Sequence, residues 1–111
     1  MKYFMELDNQ PFYLIKNKLK TIEMRLNYKD RDKIKKGDII EFENNVTKEK
    51  IKCVVVNNYK YKDFFELYKN HSKKSIGYLE SEPANSCDMY KYYREEDILK
   101  YGVLAIEIKL I

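Results

Sequence analysis

The segment Lys18-Leu19-Lys20-Thr21-Ile22-Glu23-Met24-Arg25 holds the side chains with the most chemical potential in this chain. From Thr21 to Leu26, apolar residues alternate strictly with polar ones. That period of two predicts a strand with one dry face and with Thr21, Glu23 and Arg25 on the other. Lys20 stands just before it, where a turn can aim its ammonium into the same space. A hydroxyl, a carboxylate and two cations then share a small volume. Arg25 offers a planar fork for a phosphate or a carbonyl edge. Glu23 can accept from an exocyclic amine or a ribose hydroxyl. A lysine beside a second cation can act as a base. The alternative is a solvated strand face whose Glu23 and Arg25 form cross-strand ion pairs.

Other residues offer less. Cys53 and Cys87 lie far apart and form no C-x-x-C, and His71 is the single histidine. No zinc site is expected from so few ligands, and the thiols read as reduced and structural. A Cys87–His71 nucleophilic pair has no local support. Tyr90, Tyr92, Tyr93 and Tyr101 cluster towards the C-terminus, with Tyr59 and Tyr61 earlier. Tyrosines can stack on bases or pack barrel ends with their hydroxyls in water. Tyr93 is favoured as a cleft residue.

The elements that position these groups follow from pattern. Tyr3 to Leu7 reads as a first strand. Asp8 as N-cap and Pro11 in the first turn open a helix over about 9–19, with Phe12, Ile15 and Leu19 as its apolar stripe. The polar stretch 27–36 reads as irregular, and Gly37-Asp38 as a turn before a strand over 39–43. Asn44-Asn45 suits a hairpin, since Asn tolerates positive φ, and a long strand follows over about 48–57. A helix is expected over 61–69, a short one over 76–79, and helix in one or two pieces over 87–100, broken near Arg94. Leu104, Ile106, Ile108 and Leu110 mark one face of a last strand. The fold class is therefore α+β: about five strands in a small, mostly antiparallel β-barrel with flanking helices.

Length and charge bound the rest. The chain has 111 residues, 44% hydrophobic and 14% aromatic, enough for one folded domain over 1–111. No run is long and apolar enough for a membrane span, and Glu6 and Asp8 interrupt any signal-peptide core, so a cytoplasmic location is expected. The net charge is +4, but residues 16–36 carry nine basic and three acidic side chains, and residues 48–74 eight and three. Two basic stretches in an otherwise acidic chain either line an anionic groove or simply solvate the surface.

Lys20-Thr21-Ile22-Glu23-Met24-Arg25, then Gly37-Asp38-Ile39-Ile40-Glu41-Phe42, then Tyr92-Tyr93 and Tyr101-Gly102-Val103-Leu104-Ala105-Ile106 resemble an ASCH domain. That family carries G-x-K-x-x-E-x-R near the end of its first helix and a G-D-x-I-x-F strand. The resemblance spans nearly the whole chain in order and spacing. It implies a PUA-like barrel and a cleft beside the K-x-x-E-x-R strand for RNA or a nucleotide-like small molecule, with Lys20, Glu23 and Arg25 at the motif positions. No cofactor is expected, and the residue types themselves point to neither a metal nor a membrane. The family glycine falls at Lys18, so a turn needing positive φ would strain Lys18 or shift to Asn17. One branch resembles an amidohydrolase of an acetylated nucleoside, which would use Lys20 as base and Thr21 or a water as nucleophile. The branch's threonine position holds Glu23 here, and Thr21 is two residues away. Its glutamate could correspond to Glu80, Glu82 or Asp88. Three readings follow: a binding module for RNA or a nucleotide-like ligand, a small hydrolase, or a protein-interaction domain whose polar stripe is structural.

Overall fold

A computed structural model describes residues 1–29 and 31–111, so Asp30, inside the stretch expected to be irregular, lies outside the described residues. The elements run β1 (Lys2–Leu7), α1 (Asn9–Lys16), β2 (Ile22–Leu26), a 3-10 turn (Arg31–Lys33), β3 (Ile39–Asn44), β4 (Lys50–Tyr61), α2 (Phe64–Asn70), a 3-10 helix (Ser86–Lys91), α3 (Glu95–Tyr101) and β5 (Val103–Leu110). The strands form one sheet in the order β1-β3-β4-β5-β2. β1 runs parallel to β3 and the other pairs are antiparallel, so the sheet is mixed rather than purely antiparallel. A bulge between Val55 and Asn57 bends β4, which pairs with β3 at its start and with β5 along the rest. The result is a curled half-barrel whose two edge strands, β1 and β2, meet at a seam.

Two buried clusters sit on opposite faces of this sheet. The inner one gathers Met5, Phe12, Ile15, Ile40, Phe42, Val55, Leu104 and Ile106. The outer one gathers Ile22, Met24, Leu26, Phe64, Leu67, Met89, Ile98, Val103 and Ala105. β5 feeds both, and for that reason Val103 to Ile106 are all buried instead of showing one dry face. The dry face of β2 therefore packs outwards, against the helical layer. Its polar face turns inwards: Glu23 lies opposite Ile106 and Arg25 opposite Leu104, both inner-core residues.

Several expectations need correction. α1 ends at Lys16, three residues early, and Leu19 is exposed rather than part of its stripe. β4 continues to Tyr61, so α2 begins only at Phe64, where Asp63 caps it by accepting from the Glu66 N–H. Residues 76–79 make no helix. Gly77 at φ +111° turns the chain instead, with Tyr78 N bonded to Lys73 O. In the hairpin after β3 the positive φ falls on Lys48, not on an asparagine. Asn44 is fully buried there, accepting from the Val46 and Thr47 N–H groups and donating to Asn9 Oδ1. Ser86 to Tyr101 does divide at Arg94, as expected. Cys53 is buried but Cys87 is exposed, so only the first is structural in the expected sense. His71 engages the Tyr61 hydroxyl at 2.8 Å. Among the described residues no cluster of His, Cys, Asp and Glu could hold a metal, and no helix is long and apolar enough to cross a membrane.

Candidate functional site

The site begins with a turn. α1 closes with Leu19 N and Lys20 N both donating to Leu14 O, and Lys18 takes the left-handed conformation at φ 62°. This reverses the chain so that Lys20 points back under the helix. The loop before Gly77 then clamps the start of β2, with Ser75 O accepting from both Thr21 N and Ile22 N. Gly77 matters for space as well as for φ: a Cβ there would stand 3.1 Å from Lys20 Cδ. The lysine stem thus runs close along the Gly77 backbone, and a Cβ there would push it aside by a few tenths of an ångström.

Glu23 is buried at 4% exposure and carries a cation on each oxygen. Oε1 lies 3.1 Å from Lys20 Nζ, and Oε2 accepts from Arg25 Nε at 2.6 Å. The alternative of solvated, cross-strand pairs is not what this face shows among the described residues. The pairing is within β2 and its preceding turn, and it is buried. Burial opposes the Glu23 charge, yet Lys20 and Arg25 more than offset it and hold the carboxyl below its usual range. Burial likewise opposes the Arg25 charge, and Glu23 reverses that, leaving the guanidinium more basic than usual. Arg25 Nη2 also donates to Glu6 O of β1 at 2.8 Å. Among the described residues no ladder joins β1 to β2, and this hydrogen bond bridges the seam of the half-barrel.

The seam opens into a cleft of about 580 Å³. Glu23 and Arg25 line it from β2, with Lys20 just before that strand; Glu6 and Leu7 line it from β1, with Asp8 just after; Pro11 and Leu14 line it from α1. Tyr68, Gly77, Tyr78, Glu82, Asp88, Met89 and Lys91 to Tyr93 are among its other lining residues. Tyr93 is present as expected, but one of its faces is stacked on Phe64, with centroids 5.9 Å apart at 18°. Burial raises its hydroxyl above the usual phenol range. Tyr92, 64% exposed, offers the freer ring at the mouth. Thr21 is exposed and does not line the cleft, so Lys20 and the hydroxyl proposed to act with it are not brought together there. Of the three candidates for a further carboxylate, Glu82 and Asp88 line the cleft and Glu80 does not. Sequence reasoning missed Tyr68, whose helix was expected but not its place at the cleft, and Tyr78 and Gly77, which come from a stretch with no periodic signal.

A family model described as "ASCH domain" matches residues 5–111. The fold is similar to the crystal structure of hypothetical protein PH0355, with a TM-score of 0.86 and 34% identity over all of both chains. It is also similar to the solution structure of protein PF0455 from Pyrococcus furiosus, with a TM-score of 0.74 and 32% identity over 100% of this chain and 98% of that one. No curated protein matches the chain.

Proposed function

The chain belongs to the ASCH domain family, and from that premise we propose that its cleft binds single-stranded RNA or a nucleotide-like ligand by enclosing a base beside Lys20 and Arg25. The observation that carries this reading is the buried Lys20–Glu23–Arg25 triad opening onto the cleft. A buried ion network is a poor way to gain stability, because desolvation consumes most of the attraction. It is a good way to hold cationic donors in fixed positions. Glu23 uses Arg25 Nε and one side of Lys20; Arg25 Nη1 and further ammonium hydrogens have no partner among the described residues.

Charge favours a base rather than a phosphate inside. Glu6, Asp8, Glu23, Glu82 and Asp88 face Lys20, Arg25 and Lys91, a formal balance of −2 for the lining. A polyanionic backbone is repelled by such a wall, whereas a base with both donors and acceptors is not. Tyr92 at the mouth can stack on the next base, leaving phosphates to the basic surface outside. The test is fluorescence-detected binding of short single-stranded RNA at low and moderate salt. A folded Lys20→Met/Glu23→Leu/Arg25→Met variant should lose binding. Undiminished binding in that variant would refute the cleft as the site.

A further inference from the structure

A second polar cluster lines the same cleft and is not part of the motif. Tyr68 of α2, Tyr78 of the loop and Asp88 of the 3-10 helix form a continuous chain. Tyr68 and Tyr78 hydroxyls are 2.8 Å apart, and the Tyr78 hydroxyl donates to Asp88 Oδ2 at 2.7 Å. Tyr78 has one hydroxyl proton and two acceptors within reach, the second being Asn85 O at 3.2 Å. The ionised carboxylate at the shorter distance takes it. Tyr68 must then donate to Tyr78, and the chain has a fixed direction ending on Asp88. Burial raises both hydroxyls above the usual phenol range, so both stay protonated as donors.

The two carboxylates on this cleft are thereby left in different states. Glu23 has a cation on each oxygen and accepts nothing more without losing one. Asp88 has Oδ2 tied to Tyr78, while its Oδ1 has no hydrogen bond or ion pair among the described residues. A half-buried carboxylate on the lining of a ligand-sized cleft, oriented by a tyrosine chain and with one oxygen unbonded among the described residues, can accept from a ligand donor.

We propose that Asp88 is the specificity-determining residue of the cleft, its Oδ1 accepting from an exocyclic N–H so that a base bearing an exocyclic amino group is taken over the same base without it. Tyr78 is then a positioning residue that holds the carboxylate at one angle. The proposal rests on the base-binding reading above and sharpens it: the motif glutamate organises the cations and Asp88 reads the ligand.

The test is a pair of chemical-shift titrations with adenosine and purine riboside, which differ only by the 6-amino group. A hydrogen bond to a carboxylate acceptor is worth roughly a tenfold preference or more, so wild type should bind adenosine about tenfold more tightly. Asp88→Asn keeps an oxygen for Tyr78 and presents an N–H₂ instead, so the preference should vanish or reverse. Tyr78→Phe should narrow it severalfold with purine riboside affinity unchanged, which answers the case of an Asp88→Asn protein that does not fold. An adenosine-to-purine-riboside ratio near one in wild type, or one untouched by both substitutions, overturns the assignment of Asp88 while base binding stands. No response of the cleft to any nucleoside or RNA overturns the base-binding reading itself, and the proposal with it.

Discussion

Replacing Glu23 by alanine should be among the most damaging single changes in the molecule. The substitution leaves Lys20, at 8% exposure, and the largely buried Arg25 facing each other without the carboxylate that separates them. Breaking a buried ion network by removing one member costs about 3–5 kcal/mol, because the remaining charges stay desolvated and unpaired. With roughly 2.1 cal/mol/K of unfolding entropy per residue, a chain of 111 residues loses about 4 °C of melting temperature per kcal/mol. Glu23→Ala should therefore melt about 12–20 °C lower by circular dichroism. Lys20→Met/Glu23→Leu/Arg25→Met removes every charge together and should stay within about 2 kcal/mol of wild type. Acid should act on the same group. The folded carboxyl sits below its usual value of 4.5, so its stabilisation is complete above about pH 4.5 and is lost as pH falls through the lower folded value. The triple variant should lack that part of the acid transition. A Glu23→Ala protein within about 1 kcal/mol of wild type would show instead that the triad behaves as an exposed pair.

Gly77→Ala places a Cβ 3.1 Å from Lys20 Cδ at φ +111°, and should cost about 1–3 kcal/mol in denaturant unfolding while weakening ligand binding through Lys20. Lys18→Gly relieves a left-handed residue at φ 62° and should raise stability by about 0.5–1 kcal/mol, net of the greater freedom of glycine in the unfolded chain. A thiol reagent at pH 8 should label Cys87 rapidly and Cys53 only on unfolding, because Cys53 is buried and its thiol is pushed up to about 11. Equal native labelling of both would contradict that burial.

Much of the fold was legible because strand periods are local. β2, β3 and β5 announce themselves through Ile22-Glu23-Met24, Ile39 to Phe42 and Leu104 to Ile108. The direction of the polar face of β2 was not legible. Alternation says that Glu23 and Arg25 point away from Ile22 and Met24; it does not say which side is solvent. Here the helical layer covers the apolar side, and the barrel seam encloses the polar one, so a stripe that resembled a solvated surface is buried. The early end of α1 follows from the left-handed turn at Lys18, a residue whose type gives no warning of it. The family glycine at that position was the better guide to the backbone. Tyr68, Tyr78 and Asp88 come together from a helix, an irregular loop and a 3-10 helix. Their meeting depends on Gly77 turning the chain, which no periodicity encodes. The motif residues Lys20, Glu23 and Arg25 do share the cleft, whereas Thr21, one position from Lys20, faces outwards.

The most direct test of the central claim is an amide chemical-shift map of the protein titrated with a short single-stranded RNA. Saturable shifts are expected on residues 6–8, 20–25, 77–78 and 88–93, which line the cleft or adjoin it. Shifts confined to other surfaces, or none at all, would contradict that claim.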